Sequence, residues 1–138
     1  MNSSGYSGTP LVKKLGIKEG FRLRIVHPPD GYFSFFADLP QNLEFLEDDE
    51  SKVDFIHYFV IDASKLQNEI GFLKGLIEES GMIWISWPKK SSKIKSNLDG
   101  NKVREIGLKA GLVDIKVCAV NEIWSGLKFV IPVKDRGL

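Results

Sequence analysis

The sequence has few of the residues that build cross-links and metal sites. Its 138 residues include one cysteine, Cys118, and two histidines, His27 and His57. A single cysteine excludes an internal disulfide and is typical of a protein from a reducing compartment. The three residues lie far apart and do not have the spacing of a metal site. We therefore expect no metal, and we expect Cys118 to be a small buried hydrophobic residue within a strand.

The sequence also lacks a long apolar run and a strong net charge. No stretch approaches the roughly 20 apolar residues of a membrane helix, and residues 1–10 show no signal-peptide pattern. The net charge of +1 gives no electrostatic reason to expect a nucleic acid or a membrane surface as partner. These absences predict a cytoplasmic protein. Length and composition predict a single domain over residues 1–138, with residues 1–8 flexible.

Hydrophobic periodicity predicts strands that alternate with helices. The nearly continuous apolar run over residues 53–61 is typical of a central strand covered on both faces. In the first strand, Phe21, Leu23 and Ile25 alternate with two arginines. The predicted strands are residues 21–26, 43–46, 53–61, 82–87, 113–120 and 127–133, and the predicted helices are residues 10–14, 63–80 and 101–110, with a helical turn within 32–39.

This order of elements predicts a three-layer, Rossmann-like α/β domain with a mostly parallel sheet. Residues 121–126 are too few for a crossover helix, so the last two strands form an antiparallel hairpin. From residue 53 onward the order resembles the C-terminal half of a class I methyltransferase. The resemblance rests on the strand MIWIS at residues 82–86 and on a second helix that ends in AGLV at residues 110–113. It implies the strand order 2-1-3-4-6-5, with strand 6 antiparallel.

The turn after the first strand departs from the pattern of that family. A nucleotide-type cofactor needs a glycine-rich turn, so that the backbone can approach it closely. Here the turn is HPPDG at residues 27–31, in which two prolines lack N–H donors. The second strand lacks an acidic end that would hold a ribose, unless Glu47 or Asp48 takes that role. We therefore predict no cofactor, with S-adenosylmethionine binding as the alternative.

Four longer strings resemble a bacterial family known as domain of unknown function 3052. They are YSGTPLVKKLGI at residues 6–17, WISWPKK at 84–90, GLVDIKVCAV at 111–120 and IWSGLK at 123–128. The resemblance implies a small bacterial cytosolic protein, and it implies no particular reaction.

The loop after Trp87 is the most suggestive local feature. Lys89, Lys90, Lys93 and Lys95 follow the C-terminal end of a predicted strand, where open α/β sheets place ligands. Such a cluster predicts a site for a phosphate or a carboxylate, with Trp87 offering a stacking face. The alternative is a solvated loop whose charges aid solubility.

Two further groups of residues are candidates for a site. His27 and Asp62 end neighbouring predicted strands, and a histidine near a carboxylate is the minimum for acid–base chemistry. No nucleophile is placed beside them, so we predict no catalytic residue and keep both as ligand-binding candidates. Trp124, Ser125 and Lys128, in the predicted hairpin turn, are candidates for a pocket or partner surface. The favoured alternative is that Trp124 folds back over the sheet edge while Ser125 and the next glycine form the turn.

These features together predict a non-catalytic Rossmann-like domain that binds an anionic small molecule or a protein partner. One alternative is a methyltransferase-like enzyme with a remodelled cleft around His27, Asp62 and Trp87. Another is a homodimer formed through a sheet edge. His57, inside an apolar strand, is expected to be a core histidine with satisfied hydrogen bonds.

Overall fold

The structure is a computed structural model, and it describes residues 9–48 and 50–137. The predicted flexibility of residues 1–8 lies outside these residues. Within them, six strands form one sheet that is flanked by three α-helices. The helices are α1 Leu11–Leu15, α2 Ala63–Lys74 and α3 Gly100–Lys109, and the strands are β1 Arg22–Val26, β2 Glu44–Phe45, β3 Val53–Phe59, β4 Ile77–Pro88, β5 Val113–Ala119 and β6 Trp124–Val130.

The strand order is β2-β1-β3-β4-β6-β5, which confirms the predicted order. β1 pairs in parallel with β2 and β3, and β3 pairs in parallel with β4. β6 is antiparallel to both β4 and β5. The chain leaves β1 towards one edge of the sheet and leaves β3 towards the other. The winding therefore reverses between β1 and β3, at the switch point where open α/β sheets hold ligands.

Alternate side chains of the central strands belong to different cores, because successive side chains of a strand point to opposite faces. Ile56 and Ile83 lie in a cluster with buried residues of α2 and α3. Phe55 and Trp84 lie in a second cluster with Leu15 of α1. The Trp84 indole N–H donates to the Leu15 carbonyl at 2.8 Å, which fastens α1 to the sheet. Helices thus cover both faces, as the three-layer prediction requires.

The predicted helix over residues 63–80 is wrong in its last part. α2 ends at Lys74, and β4 begins at Ile77. The apolar pair Leu76 and Ile77 fits a helical stripe and a buried strand equally well. In the structure Ile77 is the register partner of Val53, and the Val53 N–H donates to the Leu76 carbonyl at 2.8 Å. Cross-strand pairing therefore overrides the helical spacing.

The final strand begins three residues earlier than predicted. The Asn121 side-chain oxygen accepts the main-chain N–H groups of Ile123 and Trp124 at 2.9 and 2.8 Å, which closes a short turn before Trp124. The glycine that we assigned to the turn lies inside β6 instead. A Cβ atom on Gly126 would lie 3.1 Å from the Trp84 ring, which is closer than most real Cβ contacts, so packing favours glycine here.

Candidate functional site

The predicted lysine loop is exposed, but its tryptophan is not. Lys90 and Lys93 are exposed and Lys89 is half-buried. Trp87 is 6% exposed and belongs to the core between the sheet and the helices α2 and α3. Contrary to the expectation from sequence, its ring therefore offers no free face for stacking. A ligand at this loop would be held by the lysines and the other polar groups of the loop, without stacking on Trp87.

Asp62 joins the lysine loop to the start of α2. Its Oδ2 atom accepts the main-chain N–H of Lys65 at 3.0 Å, as an N-cap residue does. Its Oδ1 atom accepts the side-chain amide of Asn97 at 3.2 Å. The Asn97 oxygen in turn accepts the Ala63 N–H at 2.8 Å. Both Asp62 oxygens are therefore engaged in structural hydrogen bonds.

We expect Asp62→Ala to lower the free energy of unfolding by about 2 kcal/mol, because a cap worth about 1 kcal/mol is lost together with the Asn97 contact. Urea denaturation measures the change. Asp99→Ala is the matched control, since Asp99 caps α3 through the Lys102 N–H. It should lower the free energy of unfolding by about 1 kcal/mol. Equal losses in the two variants would show that the Asn97 contact does not contribute.

His27 lies beside Glu69 rather than Asp62. The His27 Nε2 atom is 3.7 Å from the Glu69 Oε1 atom, and the Tyr58 hydroxyl donates to the same oxygen. Burial raises the pKa of Tyr58, and the hydrogen bond to Glu69 and its negative charge raise it further. His27 has a φ of 53°, in the left-handed region, at the start of the turn after β1. The polar contacts of the described residues therefore link His27 to Glu69, and they link Asp62 to the start of α2 and to Asn97.

A cavity of about 430 Å³ opens beside His27 and Tyr58. It lies on the α2 face of the sheet, at the switch point between β1 and β3. Val26, Leu46 and other aliphatic side chains supply its apolar walls. Its size is within the range of small-molecule sites. Of the residues considered from sequence, His27 lines this cavity, and so do Glu47 and Asp48, the two alternatives for the ribose role.

Arg24 is a charged residue of this cavity that sequence reasoning missed, as is Glu69. Arg24 is 6% exposed, and it is the only buried lysine, arginine, aspartate or glutamate among the described residues. Its two terminal nitrogens donate to the main-chain carbonyls of Asp48 and Ser51. Its Nε atom is buried and has no hydrogen-bond partner in the described part of the chain. An unpaired buried donor is energetically unfavourable.

The Asp48 carboxylate neutralises the positive charge of Arg24 only in part. Its Oδ1 atom is 3.9 Å from the Arg24 Nη2 atom. The same atom accepts the main-chain N–H groups of Glu50 and Ser51 at 2.9 and 2.8 Å. These two hydrogen bonds lower the pKa of Asp48, and the bond from the Ser51 N–H has the larger effect. The carboxylate is therefore held mainly by its own loop.

A polar chain lies on the opposite face of the sheet. The Tyr32 hydroxyl and the His57 Nδ1 atom are 2.9 Å apart, and the His57 Nε2 atom is 2.8 Å from the Ser86 Oγ atom. His57 and Ser86 are 0% exposed, and Tyr32 is 4% exposed. Burial lowers the pKa of His57 to about 3, which keeps the ring neutral. His57 is thus a satisfied core histidine, as predicted.

Aromatic rings fill the sheet face beside the turn after β1. The turn leads into a 3-10 helix, Tyr32–Phe35, in place of an α-helix. The Tyr32 ring lies 5.4 Å from the His57 ring and 5.6 Å from the Phe59 ring. The Trp124 ring packs edge-on against Phe59 at 5.1 Å. Trp124 is therefore buried over the sheet, in accord with the favoured structural interpretation.

The remaining candidates of the last hairpin lie in β6. Ser125 and Lys128 are half-buried there. Burial lowers the pKa of Lys128, and the positive charges of Lys116 and Lys18 lower it further. Cys118 is half-buried rather than enclosed, and burial raises the pKa of its thiol.

The described residues include neither a membrane-spanning helix nor a cluster of metal ligands. No helix among them is long and apolar enough to cross a membrane. No three or more of their histidine, cysteine, aspartate and glutamate side chains are grouped so that they could hold a metal ion.

Comparison with protein-family models and with curated protein sequences finds no match. The resemblance to the domain of unknown function 3052 family is therefore not confirmed.

Solved structures, in contrast, share the fold. A SAM-dependent methyltransferase from Aquifex aeolicus aligns with a TM-score of 0.59 at 18% identity, covering 88% of each chain. The ribosomal protein L11 methylase from Lactobacillus delbrueckii subsp. bulgaricus aligns with a TM-score of 0.58 at 12% identity, covering 88% of this chain and 74% of that one. Precorrin-6y C5,15-methyltransferase from Geobacter metallireducens aligns with a TM-score of 0.58 at 9% identity, covering 88% of this chain and 86% of that one. At these identities the likeness shows the fold alone: a Rossmann-like domain of the class I methyltransferase type.

Proposed function

We propose that residues 1–138 form a single non-catalytic domain of the methyltransferase fold, which binds an anionic small molecule. The observation that carries this proposal is the turn after β1. Fold by itself does not imply an activity, so the proposal depends on the chemistry of that turn.

A nucleotide-type cofactor on this fold class is held by backbone N–H groups of a glycine-rich turn and of the helix that follows it. Pro28 and Pro29 have no N–H to donate. A four-residue 3-10 helix follows, and its Tyr32 side chain is buried against β3. The groups that would bind the cofactor are thus replaced by aromatic packing. This replacement favours a binding role without methyl transfer.

Two places on the described chain offer cations to an anionic ligand. One is the lysine loop, with Lys89, Lys90 and Lys93. The other is the cavity at the switch point, which Arg24 lines together with the carboxylates of Glu47, Asp48 and Glu69. The two places are separable by mutation, because Arg24 lines the cavity and none of the three lysines does.

Calorimetric titration with S-adenosylmethionine, S-adenosylhomocysteine and a panel of small phosphates and carboxylates tests the proposal. We expect at least one anion to bind saturably and neither adenosyl compound to bind at millimolar concentration. Loss of anion binding in Lys89→Ala/Lys90→Ala would place the site at the lysine loop, and full retention would exclude that loop. If no anion of the panel binds the folded protein, the proposed ligand class is wrong.

The second candidate is a methyltransferase-like enzyme with a remodelled cleft. Its support is at the level of fold, since one neighbour of the same fold is a magnesium protoporphyrin IX methyltransferase from Synechocystis with bound SAH. Glu47, exposed just beyond β2, is the residue that could take the ribose role. Saturable binding of S-adenosylmethionine that weakens in Glu47→Ala would support this candidate and overturn the first one.

A protein partner in place of a small molecule is supported by one exposed aromatic pair. The rings of Phe33 and Phe45 pack edge-on at 5.3 Å, yet these residues are 54% and 41% exposed. Exposed aromatic side chains in contact are a feature of partner surfaces.

A further inference from the structure

We propose that the cavity between β1 and α2 binds a small organic cation, an amine with an apolar body, whose ammonium group is held by the carboxylates of Glu47 and Glu69. This inference goes beyond the proposed function, because it assigns a second ligand, of opposite charge, to a site away from the lysine loop. The anion of the proposed function is then left to that loop.

The cavity exists because part of the sheet has no helix over it. β2 and β3 lie on either side of β1 and are parallel to it. Parallel strands are usually joined through a helix that covers the sheet. The described residues between β2 and β3, which are 46–48 and 50–52, form no helix. The side chains of Val26 and Leu46 on the α2 face are therefore only half-buried, and they give the cavity an open apolar floor.

The side of the cavity formed by α2 is also apolar. Phe72 lines it and is 57% exposed, and the buried side chains of Leu73 and Leu76 lie beside it. An aliphatic or aromatic group packed against this wall would leave water and would cover part of the Phe72 ring, which favours binding. The wall thus fits the apolar body of a small ligand.

The charged groups that a ligand in this cavity can reach are mainly carboxylates. Glu47 and Asp48 are exposed, and the Glu69 side chain is 38% exposed. Arg24 is the only lysine or arginine among the described lining residues, but it is buried and main-chain carbonyls hold its terminal nitrogens. The accessible wall therefore attracts a cation and repels an anion.

Two of the three carboxylates have oxygens to spare. Loop groups already donate to both oxygens of Asp48. The Glu47 side chain, in contrast, makes no hydrogen bond or ion pair within the described part of the chain. Glu69 accepts the Tyr58 hydroxyl at Oε1, and its Oε2 atom accepts no hydrogen bond from a described residue. An ammonium group can donate to more than one acceptor, so Glu47 and Glu69 are the groups that would bind it.

The test uses phenethylamine and hexylamine as probes in calorimetric titration at about pH 8, where amines are charged and exposed imidazoles are neutral. Phenethyl alcohol and hexanol are matched controls without the charge, and phenylacetate and hexanoate reverse it. We expect at least one amine to bind saturably. Its alcohol should bind at least about tenfold more weakly, because the charge-assisted hydrogen bonds are lost. Neither acid should displace the amine.

One pair of double variants tests the carboxylates. Glu47→Gln/Glu69→Gln removes both charges, and a glutamine oxygen at position 69 can still accept the Tyr58 hydroxyl. It should raise the dissociation constant of the amine about tenfold or more. Glu105→Gln/Glu122→Gln removes as many charges from exposed positions outside the cavity and should bind like the parent protein. Thermal melting checks that each variant is folded.

A second pair of variants tests the apolar wall. Phe72→Ala removes the exposed ring from α2 and should raise the dissociation constant of the amine about threefold or more. Leu108→Ala is the matched control, since Leu108 is exposed on α3 and does not line the cavity. It should bind like the parent protein.

The outcomes separate this inference from the proposed function. Amine binding that weakens equally in the two double variants would reveal a general attraction to negative charge and would overturn the cavity assignment. An amine that binds no more tightly than its alcohol, or no saturable binding of either amine, would also overturn it. Failure of every anion to bind would instead refute the proposed function and leave the amine site standing.

Discussion

Gly107→Ala is expected to lower the free energy of unfolding by about 2 kcal/mol, although alanine is the better helix former by about 1 kcal/mol. Gly107 is buried in α3 where the helix crosses β6. A Cβ atom at this position would lie 2.2 Å from Cε1 of Phe129. Phe129 is itself 0% exposed, so its ring has no free space into which to move. The methyl group therefore forces the helix away from the sheet.

Gly71→Ala is the control for this prediction. Gly71 is exposed in α2, and a Cβ atom there would meet nothing within 4 Å. The same substitution should raise the free energy of unfolding by about 0.5–1 kcal/mol, because only the helix preference of alanine acts. Urea denaturation of both variants gives two changes of opposite sign. A stable Gly107→Ala variant would contradict the described packing of α3 on Phe129.

The strand order was predictable because it depends on features that are local in sequence. The apolar run over residues 53–61 indicates a buried central strand. The segment before β6 is too short for a crossover helix, which indicates an antiparallel hairpin. The boundary between α2 and β4 was not predictable in this way. Leu76 and Ile77 fit either element, and only their pairing with Val53, more than 20 residues earlier, decides between them.

The candidate site was predictable only in part, for a similar reason. Arg24 alternates with apolar residues in β1, and this pattern is typical of a solvent-facing side chain. Its burial depends on carbonyl groups of Asp48 and Ser51, which no local pattern reveals. Asp62 closely follows the end of a strand, and this position suggests that it is the partner of His27. In the structure, its two carboxylate oxygens instead accept hydrogen bonds from the Lys65 N–H and the Asn97 side chain. Glu69, which lies further along α2, is the carboxylate beside His27.

The second large effect concerns pH: we expect the protein to lose about 2 kcal/mol of stability between pH 6.5 and pH 5 through His57 alone. Burial lowers the pKa of this histidine from its ordinary 6.5 to about 3 in the folded state. Between these values the unfolded chain binds a proton that the folded protein does not bind. The stabilisation is therefore complete above pH 6.5 and is lost as the pH falls towards 3, by up to about 1.4 kcal/mol per pH unit.

Two variants separate this titration from the hydrogen bonds of the same chain. His57→Gln keeps a donor and an acceptor towards Tyr32 and Ser86 but cannot titrate. We expect its stability, measured by urea denaturation from pH 7.5 to pH 5, to be lower at neutral pH and nearly flat below it. Tyr32→Phe removes one hydrogen bond, so its stability should fall by about 1–2 kcal/mol at every pH while the slope persists. A parent protein with no slope in this window, or a His57 ring that NMR shows protonated at pH 5, would contradict the burial of a neutral histidine. Because the pH dependence resides in His57 and the loss at every pH resides in the Tyr32 hydroxyl, the two variants together attribute each effect to one side chain.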